Sequence, residues 1–188
     1  MNQAIQLACK LGRLEIVQCL LTDKRVNPFD FYNQSLQNAS KNGFLEIVNL
    51  LLKMDEDGGG IINFFHSALY GACKNGHSEV VKALLDDKRT EIWLNRSNRC
   101  LKRAVKQGHS EVVKLLLQKI YVSIDIKEPL YIAVKKGNLE ITKLILEHKR
   151  RSLHYYGTLI LEIEEKKVNE NMMKLLLSYQ EAVRVFFK

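Results

Sequence analysis

The chain has 188 residues, a net charge of +8 and a hydrophobic content of 46%, which supplies a continuous core and excludes a disordered polyelectrolyte. Its apolar runs reach only about five residues, far short of the roughly 20 that cross a bilayer, and Met1-Asn2-Gln3 leads straight into helical pattern without the basic-then-apolar order of a signal peptide. Cys9, Cys19, Cys73 and Cys100 show no CxxC spacing, so a reducing, intracellular and cytosolic setting is expected, with no membrane insertion.

In chain order, Ile5, Ala8 and Cys9 are helically spaced, Gly12 closes that helix, and Ile16, Val17, Leu20 and Leu21 give a second helix an apolar face. The pattern returns from Gly43, from Gly76 through Leu85, from Gly108 through Leu117 and from Gly137, with a decayed copy at Val168. These copies lie 31, 33, 32, 29 and 31 residues apart, a period that means stacked supersecondary units. One elongated domain spanning 1–188 is expected, with units near 1–25, 26–57, 58–90, 91–120, 121–150 and 151–188. The fold class is all-α: about five helix pairs followed by an irregular C-terminal cap, in which Val168 stands where a glycine is expected. A cap and a boundary cut from a longer chain both remain open readings of that last unit.

Most recurring charges have a structural role. Glu15, Glu46, Glu79, Glu111 and Glu140 open the second helices, and Lys10, Lys41, Lys74, Lys106 and Lys135 close the first ones, the two ends at which the helix dipole favours an anion and a cation respectively. Ala8, Ala39, Ala72, Ala104 and Ala133, each four residues before the glycine, allow paired helices to approach closely.

The blocks Ala72 to Leu85 and Ala104 to Leu117 closely match A-x-x-x-G-H-x-E-V-V-K-L-L-L, and the chain thereby resembles the ankyrin repeat family over nearly its whole length. The resemblance implies a solenoid of antiparallel helix pairs with hairpin-like fingers. It further implies a concave surface built from fingers and first helices, and protein-protein recognition as adaptor or scaffold. The family's Thr-Pro-Leu-His opening is replaced by Gln34-Ser35-Leu36-Gln37, Ser67-Ala68-Leu69-Tyr70 and Arg99-Cys100-Leu101-Lys102. Such a divergent array is similar to those of amoebae, giant viruses and intracellular bacterial effectors, which makes the host cytosol the expected location of a secreted form.

Residues that refuse to repeat are the candidates for recognition. Aligning the fingers on Asn33, His66, Asn98 and Gly157 as turn residues places Phe31-Tyr32, Phe64-Phe65 and Tyr155-Tyr156 just before three of the turns. These rings either point outward as anchors or pack finger against finger. Trp93 lies in a connector and is an anchor or a buried ring. The second candidate is the basic run Arg96, Arg99, Lys102, Arg103 and Lys106, without an acidic residue between Ile92 and Ser110. The last four are spaced i, i+3, i+4 and i+7, which gathers them on one side of a helix. Lys106 belongs to the repeating ladder, so Arg99 and Arg103 carry the hypothesis of an acidic protein partner. Tyr70 and Tyr131 occupy the family's histidine position and are read as turn-stabilising.

No P-loop, GxGxxG or HExxH is present, and no catalytic residue, cofactor or metal is assigned. Three functions compete: a protein-binding adaptor, a nucleic-acid binder using the same basic face, and the targeting region of a larger effector or enzyme. Oligomeric state is not readable.

Overall fold

The computed structural model describes residues 2–54, 65–90, 98–119, 126–148 and 170–186, with the side chains of residues 31, 32, 90 and 180–186 left undescribed. Five helix pairs follow one another: α1 (Asn2–Leu11) with α2 (Leu14–Leu21), α3 (Asp30–Asn42) with α4 (Leu45–Met54), and α5 (Phe65–Asn75) with α6 (Ser78–Asp86). Then come α7 (Asn98–Gln107) with α8 (Ser110–Lys119), α9 (Lys127–Lys135) with α10 (Leu139–His148), and a longer closing helix, α11 (Glu170–Phe186). Among the described residues there is no strand.

The elbow inside each pair is built from the local sequence. Gly12, Gly43, Gly76, Gly108 and Gly137 all sit at φ between 68° and 83°, the left-handed conformation that ends a helix. The residue after each glycine donates its backbone N–H to the carbonyl of the alanine four before the glycine, as in His77 N to Ala72 O at 3.1 Å and His109 N to Ala104 O at 3.0 Å. Its own carbonyl then accepts the first bond of the next helix, from Val81 N at 2.9 Å and Val113 N at 3.0 Å. A single residue therefore closes one helix and opens the next.

Stacking follows from these elbows. First helices pack on first helices and second helices on second helices down the array, which yields two layers with the core between and within them. Leu36, Leu69, Leu101 and Leu130 from the first layer and Ile47, Leu51, Leu84, Leu116 and Ile141 from the second are fully buried. Each such side chain contributes roughly 1.5–3 kcal/mol. The outer side of the first pair has no neighbour among the described residues: Ile16 is 52% exposed, whereas Ile47 and Val80, its equivalents in the next two pairs, are each 1% exposed.

Histidine side chains tie one pair to the next. His77 Nε2 lies 2.9 Å from Lys41 O and His109 Nε2 lies 3.1 Å from Lys74 O. Because a carbonyl only accepts, each ring donates from Nε2, capping the end of the preceding first helix. Asn75 Nδ2 reinforces the first contact by donating to the same Lys41 carbonyl at 2.5 Å. These histidines are thus structural, and the turn they occupy explains their position.

An ion pair performs a similar task at the other edge. Arg89 clamps Asp87 through Nε at 2.8 Å and Nη2 at 2.5 Å, and Nη2 also donates to Leu52 O at the end of α4, 3.2 Å away. Burial pushes the Asp87 carboxyl up, but the hydrogen bonds and charge of Arg89 outweigh it and hold the carboxyl below its ordinary value. The resulting stability is present above an ordinary aspartate pKa of about 3.9 and is lost as pH falls through the lowered folded value. Asp87→Asn should therefore be less stable than the parent at neutral pH, and the gap, followed by urea denaturation, should narrow as the solution is acidified below about pH 4.

Candidate partner-binding groove

The basic run falls on α7 as its spacing predicts. Cys100, Leu101, Ala104 and Val105 are buried, so Arg99, Lys102, Arg103 and Lys106 emerge on the opposite side of the same helix. The four cations are not equivalent. Arg103 Nε donates to the Tyr70 hydroxyl on α5 at 2.9 Å. The guanidinium carbons of Arg99 and Arg103 lie 5.8 Å and 5.7 Å from the centroid of the Tyr70 ring, within cation–π range. Lys102 is paired with Glu128 on α9. Arg99 and Lys106 are exposed, and neither meets a carboxylate among the described residues.

Tyr70 accordingly has a different task from the one its position suggests. Its hydroxyl serves the groove between α5 and α7 instead of stabilising a turn, and its ring orients two arginines. Glu128 is likewise invisible in the local run, because it enters from the following first helix.

Next to Tyr70 the first-helix layer opens into a basin of about 470 Å3. Its walls come from three successive first helices: Gln34, Gln37 and Lys41 of α3, Ser67, Tyr70, Gly71 and Lys74 of α5, and Arg99 of α7. These residues occupy recurring positions, nine, six, five and two before each elbow glycine. Groove-facing positions can therefore be read from the repeat once its register is known. Lys41 and Lys74 have a structural reason at helix C-termini, yet their side chains also line this basin.

The acids lie elsewhere. Among the described first helices only Asp30 and Glu128 are acidic, whereas every second helix carries a glutamate in its first turn. The groove layer is consequently cationic and the opposite layer mixed, a polarity that directs an anionic partner to one side.

The aromatic candidates fare unevenly. Phe65 is fully buried at the start of α5, so it belongs to the core and is withdrawn as a partner-binding residue. Phe31 and Tyr32 lie in the first turn of α3, with their side chains outside the described set. Phe64, Trp93, Arg96, Tyr155 and Tyr156 lie outside the described residues, as do most of the connectors expected to form fingers. Asn33, His66 and Asn98 fall inside the first turns of α3, α5 and α7 and do not mark finger tips. Asn33 does adopt a positive φ of 58°, the conformation for which asparagine is suited.

No helix among the described residues is long and apolar enough to cross a membrane. No curated protein matches the sequence. The crystal structure of the human ASB11 ankyrin repeat domain is similar to this chain, with a TM-score of 0.67 and 24% sequence identity over 93% of this chain and 82% of that one. A family model described as ankyrin repeats (3 copies) matches residues 36–128. Ankyrin repeats are generally protein-protein interaction modules and are typically non-catalytic. With matching repeats in its sequence and a matching helical stack, the chain is an ankyrin repeat protein.

Proposed function

We propose that this array is an adaptor that takes an acidic protein segment on the groove formed by its first helices, with Arg99, Lys102, Arg103 and Lys106 among the contacting residues. The observation that carries the reading is the charge polarity of the two layers: Arg99, Arg103 and Lys106 of α7, which meet no carboxylate among the described residues, with the two arginines beside Tyr70, against an acid-bearing opposite layer. Arginine is among the side chains that dominate interfaces once a partner covers them, while the charge of the whole face raises the encounter rate.

The test uses Arg99→Glu combined with Lys106→Glu, two exposed positions whose reversal leaves the Arg103–Tyr70 contact in place. A fluorescent glutamate-rich peptide should bind the parent in a salt-sensitive manner and bind the double variant about tenfold more weakly, with an unchanged thermal melt. Equal binding by the two proteins removes the face from the mechanism. Duplex DNA or single-stranded RNA run in parallel tests the competing reading: tighter binding than the peptide, with a steep salt dependence, replaces the acidic-segment reading by a nucleic-acid one.

A further inference from the structure

The basin beside Tyr70 is unusual in how its floor is made. Gly71 lies in the middle of α5, where glycine costs about 1 kcal/mol relative to alanine. The equivalent position in the other pairs holds Leu7, Asn38, Arg103 and Ile132. A Cβ at Gly71 would stand 3.3 Å from Lys41 Cβ, so the missing side chain brings α3 close and leaves the space above open. Ser67, one turn earlier on the same helix, keeps that space low and polar.

Three cations surround the opening. Lys41 and Lys74 approach from the C-terminal ends of α3 and α5, and Arg99 approaches from the N-terminal turn of α7, oriented by the Tyr70 ring. Among the described residues none of the three meets a carboxylate and no acidic residue lines the basin. Three positive charges around about 470 Å3 exceed what one carboxylate neutralises, and the volume exceeds what one side chain fills.

We propose that the Gly71 basin is the anchor seat of the partner, and that it takes a cluster of two or three consecutive acidic residues from an extended protein segment. This rests on the acidic-segment reading above and moves its centre one helix pair toward the N-terminus, from the Arg103 face to Lys41, Gly71, Lys74 and Arg99. Neighbouring first helices lie roughly 8–10 Å apart, and an extended chain advances about 3.3 Å per residue. The first and third of three consecutive acidic residues lie about 6.6 Å apart on one face of an extended chain, and the reach of the glutamate and lysine side chains covers the remainder of the distance from Lys41 to Lys74; a segment crossing the groove obliquely also reaches Arg99.

Gly71→Asn fills the basin with a residue the array already uses at that position. Asn38 donates to Gln6 O at 3.2 Å, and Gln37 of α3 holds the position relative to residue 71 that Gln6 holds relative to Asn38. The measurement is fluorescence polarisation with the labelled peptide Gly-Ser-Glu-Glu-Glu-Ser-Gly, against a version with glutamine in place of each glutamate. Binding of the acidic peptide to the parent, loss of about tenfold or more in Gly71→Asn and in Lys41→Glu/Lys74→Glu, and no binding of the glutamine peptide are expected. Thermal melts check that both variants remain folded; Gly71→Ser replaces Gly71→Asn if the latter does not, with a smaller loss expected.

Undiminished binding by Gly71→Asn, together with loss in Arg99→Glu/Lys106→Glu, overturns the basin as seat and leaves the wider cationic groove as the binding face. Failure of the parent to bind the acidic peptide at low salt overturns both. Equal binding of a peptide with its glutamates separated by two glycines each overturns the requirement for a consecutive cluster.

Discussion

Phe65→Ala is expected to lower the unfolding free energy by about 3–5 kcal/mol, a large share of the roughly 5–15 kcal/mol that holds a domain together. Among the described residues Phe65 is the bulkiest fully buried side chain, and it packs at the beginning of α5, in the middle of the stack. Removing its ring leaves a cavity that α5 cannot collapse onto without breaking register with α3 and α7 on either side. Urea denaturation followed by far-UV circular dichroism measures the effect. If the ring were an exposed anchor, the same substitution would leave the denaturation midpoint in place and act only on partner affinity. The two roles thus predict opposite pairs of results.

Gly76→Ala is the second large expectation. At φ 79° any Cβ introduces left-handed strain of about 1–2 kcal/mol. That Cβ would also lie 2.6 Å from His109 Nδ1. The ring must move, and the bond from its Nε2 to Lys74 O goes with it, so the total loss should reach about 2–3 kcal/mol. Gly137→Ala is the built-in comparison: its φ is 68°, but nothing lies within 4 Å of a Cβ there. Its cost should be confined to the backbone, about 1–2 kcal/mol. Denaturation of the two variants side by side separates backbone strain from the lost contact between pairs, and equal costs would mean that the histidine bond contributes nothing.

What could be read from the sequence divides by range. The elbow is local: an alanine, three residues, a glycine and an apolar block suffice to place two helix ends, and the glutamates and lysines at those ends follow from the dipole. The basic side of α7 was legible for the same reason, since i, i+3, i+4 and i+7 spacing needs only one helix. Contacts between pairs were not legible. Glu128 lies 26 positions after Lys102, Tyr70 lies 33 before Arg103, and only the stacking register brings them together. Lys41 and Lys74 were explained by their helix ends, which concealed their second role beside Gly71. A glycine inside the helical pattern of α5 was the available signal for the basin. His66 as a turn residue would put Phe65 on a finger, whereas α5 has already begun there and the ring one position earlier turns inward.

The elbow in which one residue closes a helix and opens the next also governs where the array can change length. From each glycine to the start of its second helix the distance is fixed: Gly12 to Leu14, Gly43 to Leu45, Gly76 to Ser78, Gly108 to Ser110 and Gly137 to Leu139. The elbow contributes nothing to the variation in period, which is carried by the helix lengths and, most widely, by the connection between a second helix and the next first helix, short from Lys119 to Lys127 and longer from Asp86 to Asn98. An insertion at the elbow would part a helix end from its own cap, whereas one in a connector adds only loop-closure entropy, about 0.6 kcal/mol per doubling of length. Insertions and deletions are thus tolerated along one edge of the molecule and forbidden along the other, so that edge can be rewritten for new partners while the stack beneath it keeps its register.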